Sequence, residues 1–170
     1  NVLAEFTVNP SNKVDDFVKS FDTQITTLKG MLAPHGLNIA FKSSVNYKPE
    51  ELLSEQARVA GCDPDYDAWV PCVNPTAKLG ETTLRTAAGH VHIDIPGADN
   101  DPENRIKAAK ACDLLIGVPL VLVSNDLDRR KLYGAAGAHR PKPYGIEYRS
   151  PDNNWIENRL LRAWMFEQAQ

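Results

Sequence analysis

Apolar and polar residues alternate along some stretches of this chain and recur every three or four positions along others. The opening NVLAEFTV alternates, with Val2, Ala4 and Phe6 on one side and Leu3, Glu5 and Thr7 on the other, which predicts a strand. Ser11 or Asn12 is placed to cap a following helix whose apolar positions Val14, Phe17, Val18, Phe21, Ile25 and Leu28 fall on one face. APHG ends that helix, and LNIAFKSSV predicts a second strand. KPEELLSEQARVAG predicts a short helix, with Pro49 in its first turn and Gly61 at its end. CDPDYDAWVPCVNPTAKLGE has three prolines and little periodicity, and reads as loop. RTAAGHVHIDI, Arg85 to Ile95, predicts a strand. DPENRIKAAKACDLLIGVPLVLVS starts as a helix with Pro102 at its first position, and Pro119 should end or kink it. NDLDRRKLYGAAGAHRPKP reads as a basic, glycine-containing connection. YGIEYRS is a strand, and DNNWIENRLLRAWMFEQAQ closes as a helix. Strands that alternate rather than run uniformly apolar favour a sheet with one polar face and helices on the other, an α+β domain.

The 170 residues suffice for one domain with its own core, and no internal repeat, linker or low-complexity tract divides them. The net charge of −3 argues against a dedicated nucleic-acid binder. No apolar run reaches the roughly 20 residues of a membrane span. No basic-then-apolar segment marks a signal peptide at the N-terminus. Three cysteines, Cys62, Cys72 and Cys112, form no CxxC pair. With an odd count and no secretory feature, they read as reduced, buried thiols in a cytoplasmic protein.

Strand parity gathers the candidate chemistry. His90 and His92 share a face, as do Glu147 and Arg149, and Glu5 sits in a similar alternating context. Tyr144, Ile146 and Tyr148 are expected on the opposite face. Carboxylate and imidazole are metal ligands, and arginine is the preferred partner of phosphate. One polar face holding Glu5, His90, His92, Glu147 and Arg149 therefore points to a metal–phosphate site. The basic stretch from Arg129 to Lys142 adds cations, and Gly134 and Gly137 permit close backbone approach. YGAAGA lacks the G-K-[ST] of a phosphate-binding P-loop. DPDYD has the spacing of a calcium-loop start but carries Ala68 and Asn74 where glycine and glutamate belong.

The combination RTAAGHVHIDI, RRKLYGAAGAHRPKPYGIEYRS and NNWI resembles the phage-type COOH–NH2 ligases, amidoligases related to glutamine synthetase and glutamate–cysteine ligase. The resemblance implies a glutamine-synthetase-like, largely antiparallel sheet with helices on one face and a concave polar site on the other. It implies ATP and Mg²⁺ or Mn²⁺ as cofactors, with a small-molecule or peptide carboxylate and an amine as substrates. ATP would phosphorylate the carboxylate, and the amine would attack the acyl phosphate to give an amide. Glu5, His90 and Glu147 would be metal ligands. His92 would contact nucleotide, and Arg140 and Arg149 would hold phosphates through the transition state. Arg85 and Arg130 would be further nucleotide contacts. Members of the family begin with an acidic strand of the form G-x-D-P-E-F upstream of the segment resembling NVLAEF. Residues 1–170 are accordingly expected to form one amidoligase-like domain that lacks this strand; either the sequence is incomplete, or another copy or chain completes the site, or activity has been lost.

Two other readings of the same residues compete. One is a metal-dependent hydrolase built on His90, His92 and a carboxylate, which needs no arginine cluster. The other is a non-catalytic binding or virion protein that retains the fold.

Overall fold

The longest helix, α1, spans Val14–Leu32 and buries Val18, Phe21 and Ile25, one turn apart on the stripe that the sequence predicts. Its N-terminal residue is preceded by Lys13, with no side-chain cap; Ser11 Oγ instead accepts the Lys13 N–H at 3.1 Å. A 3₁₀ turn over Ala33–His35 and left-handed Gly36 (φ 65°) end the helix at APHG. The computed structural model describes residues 3–59, 64–78, 82–98, 101–124 and 126–170. Gly61 and Cys62 lie outside them.

The strands are β1 (Ser44–Asn46), β2 (Tyr66–Asp67), β3 (Cys72–Val73), β4 (Leu84–Thr86), β5 (Val91–Asp94), β6 (His139–Lys142) and β7 (Gly145–Tyr148). They form two antiparallel sheets, a β1–β4 ribbon and a five-stranded sheet ordered β3-β2-β6-β7-β5. The helices after α1 are α2 (Pro102–Cys112), α3 (Val118–Val123), α4 (Leu127–Arg130), α5 (Asn154–Glu157) and α6 (Arg159–Gln168). The fold is thus α+β with antiparallel sheets, as the alternation predicts. No described helix is long and apolar enough to cross a membrane.

Ile146 and Tyr148 of β7 are fully buried, and the core continues through Val91, Phe21, Ala109, Ile116, Trp155 and Met165. Phe17 and Phe21 both pack on Trp155, joining α1 to α5. Buried Arg162 of α6 donates to Asp22 of α1 at 2.8 Å, so the two helices are tied by charge as well as by apolar contact.

Several predicted elements differ. Residues 3–10 pair with no strand; Phe6 and Val8 pack on the core while Glu5 is exposed. The predicted strand at 37–45 is reduced to β1, and the predicted helix at 48–61 to a 3₁₀ turn over Pro49–Leu52. The predicted strand 85–95 divides into β4 and β5, which belong to different sheets. Between them Ala87 N–H donates to Ser43 O (2.9 Å) and Gly89 N–H to Pro151 O (3.2 Å), partners outside any ladder. At Pro119 the helical path continues, because the preceding turn, Asp113–Gly117, is a π-helix. Val118 N–H reaches back five residues to Asp113 O, a wider turn that accommodates a ring with no N–H to give. The closing helix breaks at Asn158, whose side chain caps α6 through Leu160 N–H at 2.8 Å.

Candidate functional site

Strand register explains which side chains meet. On β7, Glu147 lies opposite His92 of β5 on one side and Arg140 of β6 on the other. Cross-strand neighbours in register project to the same face. His90 and Lys142 extend these rows by two residues, and Arg149 follows β7 directly. His90, His92, Arg140, Lys142, Glu147 and Arg149 therefore share the face turned away from the helices. The pairing of G-H-x-H with E-Y-R in the sequence is a pairing of adjacent strands.

Glu147 is the centre of this face. Its side chain is 5% exposed and is surrounded by donors. Oε1 takes Arg149 Nη1 in a direct ion pair and lies 3.1 Å from His90 Nδ1. Oε2 takes Lys142 Nζ at 3.0 Å and Arg140 Nη1 at 3.2 Å. Burial alone raises a carboxyl pKa, but the His90, Lys142 and Arg149 contacts outweigh it and hold Glu147 well below the usual carboxylate range. Arg149 is buried too and spans two carboxylates, with Nε donating to Asp65 Oδ2 at 3.0 Å. Burial lowers its pKa and the two carboxylates raise it, with a net upward shift.

His92 is exposed, and its Nδ1 is hydrogen-bonded to the hydroxyl of Tyr144. Shielding by the surrounding protein lowers its pKa; Glu147 opposes this, while Lys142, His90 and Arg149 add to it. Tyr144 was expected beside Ile146 and Tyr148. It lies instead in the turn between β6 and β7, where strand parity no longer applies, and it curls onto the polar face.

His90 is positioned from below. Trp155 Nε1 donates to Gly89 O at 3.1 Å, and a Cβ on residue 89 would run into the indole and into the Asp152 carbonyl. The glycine of G-H-x-H is thus the residue that lets this strand pass over Trp155.

The other predicted site residues lie elsewhere. Arg85 is on the β1–β4 ribbon and donates to the carbonyls of Ala57, Thr82 and Leu84. Arg130 donates to Ser124 O at 2.6 Å, at the end of α3. Neighbouring Arg129 is buried and holds the carbonyls of Ala87, Ser150 and Pro151, each at 3.0 Å. The first part of the basic stretch is therefore spent on the backbone, and only its β6 residues reach the polar face. Glu5 is exposed on a segment outside both sheets, which corrects the expectation that it shares a strand face with His90 and Glu147.

The sequence reading counts Lys142 only among the cations of the basic stretch, without a place on the sheet, and misses Asp65 as a site residue. Lys142 lies in HRPKP, where prolines hide a strand. Pro141 is tolerated there because, among the described residues, β2 pairs with β6 only at His139, so the missing N–H breaks no ladder bond. Asp65 lies in the segment read as loop; it reaches Arg149 because the β2–β3 hairpin joins the sheet.

This donor set does not fit a divalent metal as folded. A carboxylate offers about four lone-pair positions. Those of Glu147 meet Arg149, His90, Arg140 and Lys142. Asp65 is engaged by Arg149 and by Asn74 Nδ2 at 2.9 Å. Among the described residues no group of three or more His, Cys, Asp or Glu side chains could hold a metal ion.

Fold and site together define an α+β domain that presents a cationic sheet face suited to an anionic ligand. A family model, Phage phiEco32-like COOH.NH2 ligase-type 2, matches residues 84–170. The chain belongs to this family, and its activity is at the coarse level that of a carboxylate–amine ligase. The match covers every side chain of the polar face except Asp65. No curated protein and no solved structure matches the chain.

Proposed function

We propose that the protein joins a carboxylate to an amine at the expense of ATP, through an acyl phosphate. The observation that carries this reading is the cluster of Arg140, Lys142 and Arg149 with His90 and His92 on one face of the sheet. Phosphoryl transfer asks a protein chiefly for placement and charge neutralisation, and this face offers both without a covalent nucleophile.

In the first step a carboxylate oxygen attacks the γ-phosphorus and the bond to the β-phosphate oxygen breaks, giving ADP and acyl phosphate. In the second the amine nitrogen attacks the acyl carbon, phosphate departs and the nitrogen loses its proton. Arg140, Lys142 and His90 are the groups with side-chain surface open to a phosphate. Arg149 lies beneath them and fixes Glu147.

The test is ADP release that requires both an acid and an amine. Hydroxylamine in place of the amine should trap the activated acid as a hydroxamate. If acids that support ADP release yield no hydroxamate, the acyl phosphate is ruled out. If no acid and amine pair supports release, the ligase reading fails for this chain.

A further inference from the structure

We infer that Glu147 is the resident counter-anion of the polar face: its carboxylate engages the outer donors that an anionic ligand group takes over on binding, and it is not a metal ligand. The inference rests on the ligase reading only for the ligand's identity as a phosphate of ATP; the exchange itself follows from the side chains.

Saturation is the first observation. The carboxylate oxygens of Glu147 already meet four nitrogens, three of them on fixed cations, and a cation approaching either oxygen meets Lys142 Nζ or the guanidinium groups of Arg140 and Arg149. A divalent ion entering there is repelled by fixed positive charges within a few ångströms, in a site sheltered enough for the repulsion to count. An anion meets the reverse situation. Three fixed positive charges, on Arg140, Lys142 and Arg149, face two carboxylates, Glu147 and Asp65, so a positive excess remains.

The second observation is a gradient of exposure. Arg149 is 7% exposed, whereas the Arg140, Lys142 and His90 side chains are 20%, 26% and 29% exposed. The outer three can turn from Glu147 to a ligand while Arg149 keeps its bonds to Glu147 and Asp65. Binding is then an exchange of one anion for another on the same donors. Each bond given to the ligand is one withdrawn from Glu147, and the resident carboxylate weakens the site for anions. A metal ligand would do the opposite, since removing it would weaken the binding of a metal-bridged phosphate.

The two roles therefore predict opposite signs for Glu147→Gln. The amide keeps the shape and removes the competing charge. The probe is inorganic pyrophosphate, titrated calorimetrically into the full chain in buffer containing a chelator. Glu147→Gln should bind it about tenfold more tightly than the wild type, the scale of one charge-assisted hydrogen bond no longer given up. Lys142→Met should bind it more weakly than the wild type. In a second measurement Mn²⁺ is added to the wild-type chain without nucleotide, and its electron paramagnetic resonance should remain that of free ion. Equal or weaker pyrophosphate binding by Glu147→Gln overturns the inference, as does uptake of one Mn²⁺ per wild-type chain. The Mn²⁺ measurement decides even where the Gln variant does not fold. A chain that shows the exchange but never releases ADP with any acid and amine supports the counter-anion and ends the ligase reading alone.

Discussion

Arg149 stands between Glu147 and Asp65, donating from Nη1 to one carboxylate and from Nε to the other. Glu147 is two residues away on the same strand face, but Asp65 comes from a distant segment, at the start of the β2–β3 hairpin. One guanidinium thus fixes the central carboxylate of the site and fastens a two-residue strand to the sheet edge. The ladder from β2 to β6 is the single pair Tyr66–His139, and the Ala68 N–H to Gly137 O bond (3.1 Å) and buried Ala68 are its next attachments.

Arg149→Lys should separate these functions. Lysine keeps the charge but cannot donate in two directions from a planar fork. Losing one charge-assisted bond at a buried site should cost about 2 kcal/mol of stability. Chemical denaturation measures that cost. Amide hydrogen exchange should show residues 64–74 opening more readily than β5 and β7. Unchanged protection of 64–74 would mean that the hairpin is held by something other than Arg149.

Stability should also depend on pH through Glu147. Its folded-state pKa lies below the unfolded value, so its contribution is fully present above the ordinary carboxylate pKa. That contribution is lost as pH falls through the window from about 5 downward, where the unfolded chain takes up the proton first. Glu147→Gln should flatten this acid limb in melting temperatures measured between neutral pH and acid. An acid limb as steep in the variant as in the wild type would assign it to other carboxylates.

Much of this arrangement is legible in the sequence because strand parity is a strong rule. His90, His92, Glu147 and Arg149 are placed on one face by spacing alone, and register then brings β5 beside β7. What parity cannot supply is whether a segment is a strand at all. NVLAEFTV alternates as well as RTAAGHVHIDI does, but Phe6 and Val8 pack against the core without a ladder partner among the described residues, and Glu5 is left outside. HRPKP fails in the other direction: its prolines argue against a strand, and one forms because β6 pairs with β7 through Pro141 while, among the described residues, β2 meets β6 only at His139. The basic stretch misleads for a third reason. Arg129 and Arg130 look like ligand-binding cations, yet their donors serve orphan carbonyls at loop and helix ends.

Cys112 offers a check on the packing behind the sheet. Burial pushes its thiol up to about 12, and the adjacent Asp113 carboxylate adds to the shift. Alkylation needs the thiolate, so Cys112 should stay unmodified at mildly alkaline pH while exposed Cys72 reacts. Peptide mapping by mass spectrometry after brief iodoacetamide treatment distinguishes the two. Denaturant should remove the difference. Rapid labelling of Cys112 in the native protein would show that the core of α2 is open.

The tightest constraint lies beneath His90. Gly89 passes so close to Trp155 that an added methyl group meets the indole nitrogen on one side and the Asp152 carbonyl on the other. Neither neighbour yields easily, since Trp155 is 2% exposed and packed on Phe17 and Phe21. Gly89→Ala must therefore displace the ring or lift the strand, at a cost of about 1–3 kcal/mol for overpacking. Either movement breaks the hydrogen bond from Trp155 Nε1 to Gly89 O and carries His90 away from Glu147. The expected result is a lower melting temperature together with a changed tryptophan emission spectrum. Trp155→Phe alone leaves a cavity and an unpaired carbonyl, and should also destabilise. In the double variant the methyl group occupies part of the space the indole vacates. The combined cost should then be smaller than the sum of the two single costs, by at least about 0.5 kcal/mol for residues in contact. Additive costs would mean that the strand does not rest on Trp155, and the explanation of the glycine in G-H-x-H would fall with it.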